Sequence, residues 1–399
     1  MNVAAALSQS GCFCHAFDYG GGPTTHLTPS MTLIAGSIYK LFGLHSSASE
    51  IILALLSISL SLGAALLYFV GATAAGLNRT ASLAALALYC LLPVNLQLEA
   101  EAFRVWEGGL TAFLAATAFV LMVRAHVTDS DYRALLPLAV LAAVTFFVSP
   151  TMGLAVYASL CLLIIRIVQP RRWACCAAMF AVTLALVLSP WTIRNYQRFG
   201  EFIPLRGNFG LELALAYNDA ALNPDQRDSF RETLRRLHPQ DSAGAFRRMV
   251  AAGGEPRYAR TLGVRAKKWI YQHPTESAQL TARHGFQYYF PARWDWTIYE
   301  SSSLATSVKQ AIIWLLSSLG LAGAASTLMR RADKLAYLAL LGTVPVLPYL
   351  AVQPVPRYRY LVFGPLLFLA AAFVSRLLSQ DELRGQSVDP ESAHPWPGR

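Results

Sequence analysis

The chain has 399 residues, 55% of them hydrophobic and only 14% charged, with a mean hydropathy of +0.40 and a formal net charge of +10. Soluble domains carry about 25% charged residues, so this balance excludes an ordinary water-soluble enzyme and points to lipid as the solvent. The basic surplus suits anionic headgroups or phosphate-bearing substrates, and with no recognition motif for nucleic acid that partner class is set aside.

Residues 1–47 contain no charged segment followed by a long apolar core, so no cleavable signal opens the chain. Gly20-Gly21-Gly22-Pro23 marks a loop, and the short apolar run from Met31 to Gly43, with Lys40 near its end, predicts an interfacial helix. Apolar runs then predict nine spans, near 48–75, 81–97, 106–124, 134–148, 151–168, 174–190, 307–328, 335–352 and 360–378. Most reach the roughly 17–25 residues that cross about 30 Å of hydrocarbon. All are expected to be helices, because an unpaired backbone group in lipid costs several kcal/mol. The expected organisation is an outer loop (1–47), a six-span bundle (48–190), a helical extracytoplasmic insert (191–305), a three-span bundle (306–378) and a disordered cytoplasmic tail (379–399). No internal repeat is present.

Residues 134–168 must cross twice, yet a helix of that total length measures only about 52 Å against about 60 Å for two crossings. The break at Ser149-Pro150-Thr151 is therefore expected below the outer surface, lining a groove or sitting in a locally thinned bilayer. In the insert, Asn223-Pro224 predicts an N-cap and first turn ahead of 225–238. Asp241 is expected to cap a second helix, Glu255-Pro256 to start a third reaching about His273, and Pro274 to start a fourth. Tyr288, Tyr289, Phe290, Trp294 and Trp296 form an interfacial belt or a sugar-stacking platform. Of the six cysteines, Cys90, Cys161, Cys175 and Cys176 lie within spans, and the one-residue spacer of Cys12 and Cys14 matches no metal or redox motif.

Lys and Arg alternate between span ends. Arg79, Arg124, Arg133, Arg166, Arg171, Arg172, Arg330, Arg331, Lys334 and Arg376 mark one side, which the positive-inside rule makes cytoplasmic. Nine spans then put the N-terminus outside and the C-terminus inside, an arrangement expected of a chain with a further helix upstream. The outer ends gather Glu99, Glu101, Arg104 and Glu107, the segment Pro190 to Tyr196, the segment Pro356 to Tyr360, and the loop carrying His26. Two basic segments with a few carboxylates suit displacement of phosphate from a lipid-linked sugar. The leaving phosphate is already a stable anion, so cations must hold it and one carboxylate must take the acceptor's proton. A glycosidase would need two carboxylates flanking the bond. Glu101 and Asp18 are the candidate bases; Arg194, Arg357, Tyr358, Arg359 and His26 are the candidate phosphate ligands. Each also has a structural reading: Arg194 as a snorkelling anchor, Glu99 and Glu101 as partners of Arg104, Glu107 as a helix-start carboxylate, His26 as a loop hydrogen-bonder.

Several stretches resemble the protein-mannosyltransferase-like (family 39) branch of the GT-C membrane glycosyltransferases. They are Gly22-Pro23-Thr24-Thr25-His26-Leu27-Thr28-Pro29 with Ile38 to Gly43, Leu188-Ser189-Pro190-Trp191-Thr192-Ile193-Arg194-Asn195-Tyr196 with Phe199-Gly200, Trp269 to Pro274, and Arg357-Tyr358-Arg359. The resemblance implies an all-α polytopic fold with an outer surface helix in a bacterial inner (plasma) membrane. It implies a polyprenyl-phosphate-linked sugar donor, a lipid, glycan or protein acceptor, inversion at the anomeric carbon, and in some members a divalent metal ion. The family's usual aspartate follows its first transmembrane helix, and the match begins after that point. A lipid-linked-sugar transporter or flippase, or a non-catalytic membrane scaffold, are the alternative functions; transporters favour internal repeats and paired broken helices.

Overall fold

The computed structural model describes residues 2–91, 106–128, 132–223, 225–296, 304–330 and 333–386. Among these residues the chain is helical, with isolated bridges at Cys14–Pro23 and Phe17–Gly20 and no longer strand. The membrane helices are α3 (Ser47–Ala74), α4 (Arg79–Leu91), α5 (Gly108–Val127), α6 (Leu136–Val148), α7 (Pro150–Ile167), α8 (Trp173–Phe199), α15 (Leu304–Leu328), α16 (Ala336–Thr343), α17 (Val346–Tyr349) and α18 (Pro356–Gln386), with α1 (Asn2–Ser10) and α2 (Pro29–Phe42) ahead of them. Six described helices are long and apolar enough to cross a bilayer, and three apolar stretches, 79–91, 132–148 and 336–349, are shorter. The chain is an integral membrane protein.

Burial follows the lipid-solvent logic. Tyr68, Tyr89, Phe119, Met122, Leu160, Tyr337 and Phe368 are enclosed at the centre of the bundle, while Ile51, Leu55, Val182 and Leu186 stay exposed on its periphery. With lipid tails as apolar as leucine, tight helix pairs depend on small residues. On α15, a Cβ at Gly320 would lie 2.7 Å from Leu366 O, and one at Gly323 would lie 2.2 Å from Leu369 O, so α18 packs against bare backbone. At the basic end, Arg376 donates to Ser326, Thr327 and the Asp333 carboxylate, tying α18 to α15.

Between α8 and α15 lies a polar helical domain: α9 (Phe209–Ala216), α10 (Gln226–Leu237), α11 (Ala243–Ala251), α12 (Glu255–Gln272), α13 (Pro274–Tyr289) and the short α14 (Arg293–Trp296). Its core joins Leu211, Leu215, Met249, Tyr258, Leu262 and Leu280 with Phe17 of the first loop. The crossing of α9 and α12 is close enough that a Cβ at Gly210 would lie 2.0 Å from Ala259 O.

Two expected helix caps shift by one or two residues. Asp225, not Asn223, caps α10 by accepting from Asp228 N, and Ser242, not Asp241, caps α11 by accepting from Ala245 N. The two helices expected to start at Glu255 and Pro274 do so. The sixth span does not end at Pro190: α8 runs on to Phe199. Proline removes the N–H that would bond Leu186 O, and the Ser189 hydroxyl bonds that carbonyl instead at 3.1 Å. α18 likewise continues to Gln386, so residues 379–386 are helical rather than disordered. Cys12 and Cys14, which the spacing left unassigned, are joined as a disulfide.

Candidate active site

The extension of α8 past Pro190 is a clasp for loops. Trp191 Nε1 donates to Leu205 O (3.1 Å), Thr192 Oγ1 to Pro204 O (3.2 Å) and Asn195 Nδ2 to Ile203 O (2.9 Å). Arg194 turns the other way, donating to Thr24 O (2.9 Å) and Phe13 O (3.0 Å), with its guanidinium over the Trp191 and Phe13 rings. The loop Thr24-Thr25-His26 is held from a third side by Glu255, which accepts from Thr24 Oγ1 and Thr25 N, both at 2.9 Å. Burial raises the Glu255 carboxyl above its ordinary value, and those two donors and Arg194 oppose the rise. Gly207 N bonds Thr25 O (3.1 Å) and Arg206 Nε bonds His26 O (2.9 Å).

These clasps deliver His26 and Arg206, both half-buried, to a partly exposed polar cluster at the domain end of the bundle, which forms the candidate cleft. There Arg206 and Arg357, the latter at the start of α18, both act on His26 and on Glu107 at the start of α5, and Arg206 and Glu107 act on Tyr349 at the end of α17. Glu107 stands at an N-cap position, yet its side chain does not cap; it accepts from the Thr28 hydroxyl and faces Arg206 and Arg357. Burial pushes its carboxyl above the usual carboxylate range, and the two guanidiniums hold the rise in check. His26 is driven well below its ordinary value, first by burial, then by His238, Arg206 and Arg357, so its imidazole is neutral at neutral pH. Its ring packs edge-on to Phe17 (5.1 Å) and His238 (5.3 Å).

Arg357 is exposed to the cleft and donates to Tyr358 Oη at 3.0 Å. The cleft wall beside it is a tyrosine stack: Tyr358 on Tyr349 (4.8 Å) and Tyr349 on Tyr288 (5.1 Å). Tyr349 bonds Thr151, so the Ser149-Pro150-Thr151 break between α6 and α7 abuts this wall. Glu212 on α9 approaches Arg357 from the polar domain, oriented by Asn208 Nδ2 at 3.0 Å.

The structure sorts the sequence candidates. His26, Arg357 and Tyr358 come together in the cleft. Arg194 is occupied with loop carbonyls. Arg359 is 4% exposed and points away from the cleft, donating to Tyr289 O (3.3 Å), Ile313 O (3.2 Å) and Ser317 Oγ (2.5 Å). Asp18 is exposed and its oxygens accept from Asn2 Nδ2 (2.7 Å) and Gln240 Nε2 (2.6 Å). Glu101, with Glu99 and Arg104, lies outside the described residues. Sequence reasoning gave Glu107 only a helix-start role and passed over Arg206 and Glu212. No motif surrounds Arg206; its signal was the basic surplus of the insert. Among the described residues no three His, Cys, Asp or Glu side chains are grouped to hold a metal ion, and the two guanidiniums beside Glu107 do not suit a divalent cation there.

No family model matches the chain, and no curated protein matches it. A solved structure does: the archaeal oligosaccharyltransferase AglB from Archaeoglobus fulgidus, in complex with an inhibitory peptide and a dolichol-phosphate. The TM-score is 0.52 at 14% identity over 99% of this chain. The chain therefore has a GT-C-like fold. It spans about half of its neighbour, 47% of that chain's length.

Proposed function

We propose that this protein is a membrane glycosyltransferase that moves a sugar from a polyprenyl-phosphate donor to an acceptor at the non-cytoplasmic face. The observation that carries the reading is the meeting of Arg357, Arg206, neutral His26 and Glu107 in one cleft where the membrane helices end. That the fold's neighbour was captured with a dolichol-phosphate supports a lipid-phosphate ligand. In the proposed step, the acceptor hydroxyl oxygen forms a bond to the anomeric carbon as the bond from that carbon to the phosphate oxygen breaks. Polyprenyl phosphate leaves as an anion. Arg357 and the free Nη groups of Arg206 hold its oxygens, with an N–H of His26 adding a neutral donor. Glu107 takes the acceptor's proton, and a carboxyl raised by burial is better matched to that task at neutral pH than an ordinary one. Attack from the side opposite the phosphate inverts the anomeric carbon. Arg194 and Arg359 serve the phosphate only through the loops and helices they hold, and Tyr358 orients Arg357. Asp18 and Glu101 are the other carboxylates proposed for the proton.

The test is transfer from radiolabelled polyprenyl-phosphate sugar by membranes containing the full-length protein. Arg357→Ala is expected to weaken donor binding about 10- to 100-fold, the loss of roughly 1.5–3 kcal/mol per hydrogen bond to a charged group. Donor binding unchanged by Arg357→Ala overturns the phosphate assignment. Binding without any transfer product favours the flippase reading instead.

A further inference from the structure

Outside the cleft, α12 carries a surface that the transfer chemistry does not use. At about 100° per residue, Arg257, Arg260, Val264, Lys267, Lys268 and Tyr271 fall within an arc of about 100° on one face. The opposite face is the one buried in the domain, through Tyr258, Leu262 and Ala266. All six stripe residues are exposed, Val264 at 64% and Tyr271 at 86%. The stripe holds no carboxylate of its own; the helix's one acidic residue, Glu255, is turned to Thr24 and Thr25. Arg260 alone is paired, with Glu201.

The surface is also rigid. The close Gly210–Gly263 crossing fixes α12 against α9, and Glu255 pins its first turn to the loop that carries His26. The stripe therefore starts beside the cleft and runs from it for about 21 Å, fourteen residue steps. Its far end is remote from the bundle. α13 is seated on α16 by Tyr289, whose hydroxyl donates to Gly342 and Thr343 carbonyls. A helix of about 24 Å separates that anchor from Pro274, next to the Tyr271 end. A row of cations needs a partner with repeated negative charge. An open tyrosine ring among them offers an apolar face with a polar tip, which a sugar ring can cover while its hydroxyls stay wet.

We infer that the α12 stripe binds an anionic polysaccharide, and that such a chain is the acceptor delivered to the cleft; the second clause rests on the transferase reading. The experiment measures binding of an oligogalacturonate of defined length to the full-length protein in nanodiscs of neutral lipid, with a dextran oligomer and inorganic polyphosphate as comparisons. No donor is present. The double variant Lys267→Glu/Lys268→Glu is expected to bind the uronate at least about tenfold more weakly and with a shallower salt dependence, because fewer counterions exchange. Tyr271→Ala is expected to weaken uronate but not polyphosphate, and dextran is expected not to bind. Arg235→Glu/Arg236→Glu on α10 is the control for charge alone, and thermal unfolding confirms that each variant folds. Affinity unchanged in the Lys variant, or an equal loss in the α10 control, overturns the stripe as the site. Equal loss of uronate and polyphosphate in Tyr271→Ala overturns the glycan as ligand. Uronate binding with no sugar transfer to any acceptor sinks the transferase reading alone; transfer to neutral acceptors with no uronate binding sinks this inference alone.

Discussion

Glu107 shows how one residue's setting changes its chemistry. A carboxylate at a helix start is favoured by the helix dipole and needs no further reason to be there. Here the side chain leaves the helix end, takes the Thr28 hydroxyl and faces two guanidiniums, with its affinity for a proton raised by burial. Glu107→Gln is expected to lower the transfer rate by about 10²–10⁴ while donor binding holds, the range for losing a general base. If Glu101→Gln gives that loss and Glu107→Gln does not, the base lies on the preceding segment. His284 offers a test by pH. It is fully buried on α13, with Nδ1 3.3 Å from Leu350 O and Nε2 without a hydrogen-bond partner. Burial lowers it to about 4 from 6.5. Between those values the unfolded chain binds the proton and the folded chain does not. Stability present above pH 6.5 is therefore lost progressively as pH falls toward 4, by at most about 3 kcal/mol. Thermal unfolding in detergent between pH 7 and 4.5 should show this loss, and His284→Gln should flatten it. Identical slopes in both proteins would assign the effect to another group.

At the scale of elements, the cleft depends on segments that are not themselves reactive. The Pro190–Tyr196 part of α8 grips residues 203–205 with three side chains and the 13–24 hairpin with a fourth. Hydrogen bonds from these four side chains to loop carbonyls explain why Trp, Thr, Arg and Asn stand at these positions in a helix end. The α9–α12 crossing places Glu212 and the stripe. Gly263→Val forces a branched side chain into a gap where even a Cβ lies 3.0 Å from Gly210 Cα. Overpacking of this kind costs about 1–3 kcal/mol. The expected result is a lower unfolding temperature with weaker donor binding, since Arg206 and Glu212 move with the domain. Gly263→Ala should do the same more mildly. A variant with wild-type stability would mean that the two helices part at little cost.

For the whole molecule, charge and apolar length together propose an orientation. The basic end of the bundle carries Arg124, Arg171 and Arg172, and the polar domain, with 16 Lys/Arg and 11 Asp/Glu in 191–305, sits at the other. Long polar loops translocate largely regardless of their charge, so the short basic loops carry the proposed orientation, in which the cleft faces out. In a background without the four free cysteines, a cysteine at position 271 should react with a membrane-impermeant maleimide in intact cells. One at position 171 should react only after permeabilisation. The reverse pattern would move the cleft to the cytoplasm and remove the case for an outer-leaflet donor.

Much of the fold was legible because the bilayer imposes simple rules. Apolar length located the membrane helices, and turn residues such as Pro256 and Pro274 located α12 and α13. Where the rules were local they failed locally. The apolar run stops near residue 190, and only the fold shows the helix continuing to Phe199, with Ser189 satisfying the carbonyl that Pro190 leaves. Composition and spacing by themselves determined a polytopic helical protein with a basic polar domain and a gathering of Arg, Glu and His at one end. Only the tertiary structure decided that Arg194 and Arg359 turn inward as braces, and that Arg206 and Glu107 join His26 and Arg357. Hydropathy is a property of a segment, which a sequence displays. The direction of a side chain depends on which unpaired carbonyls and charges distant segments bring within about 3 Å of it, and only packing sets that.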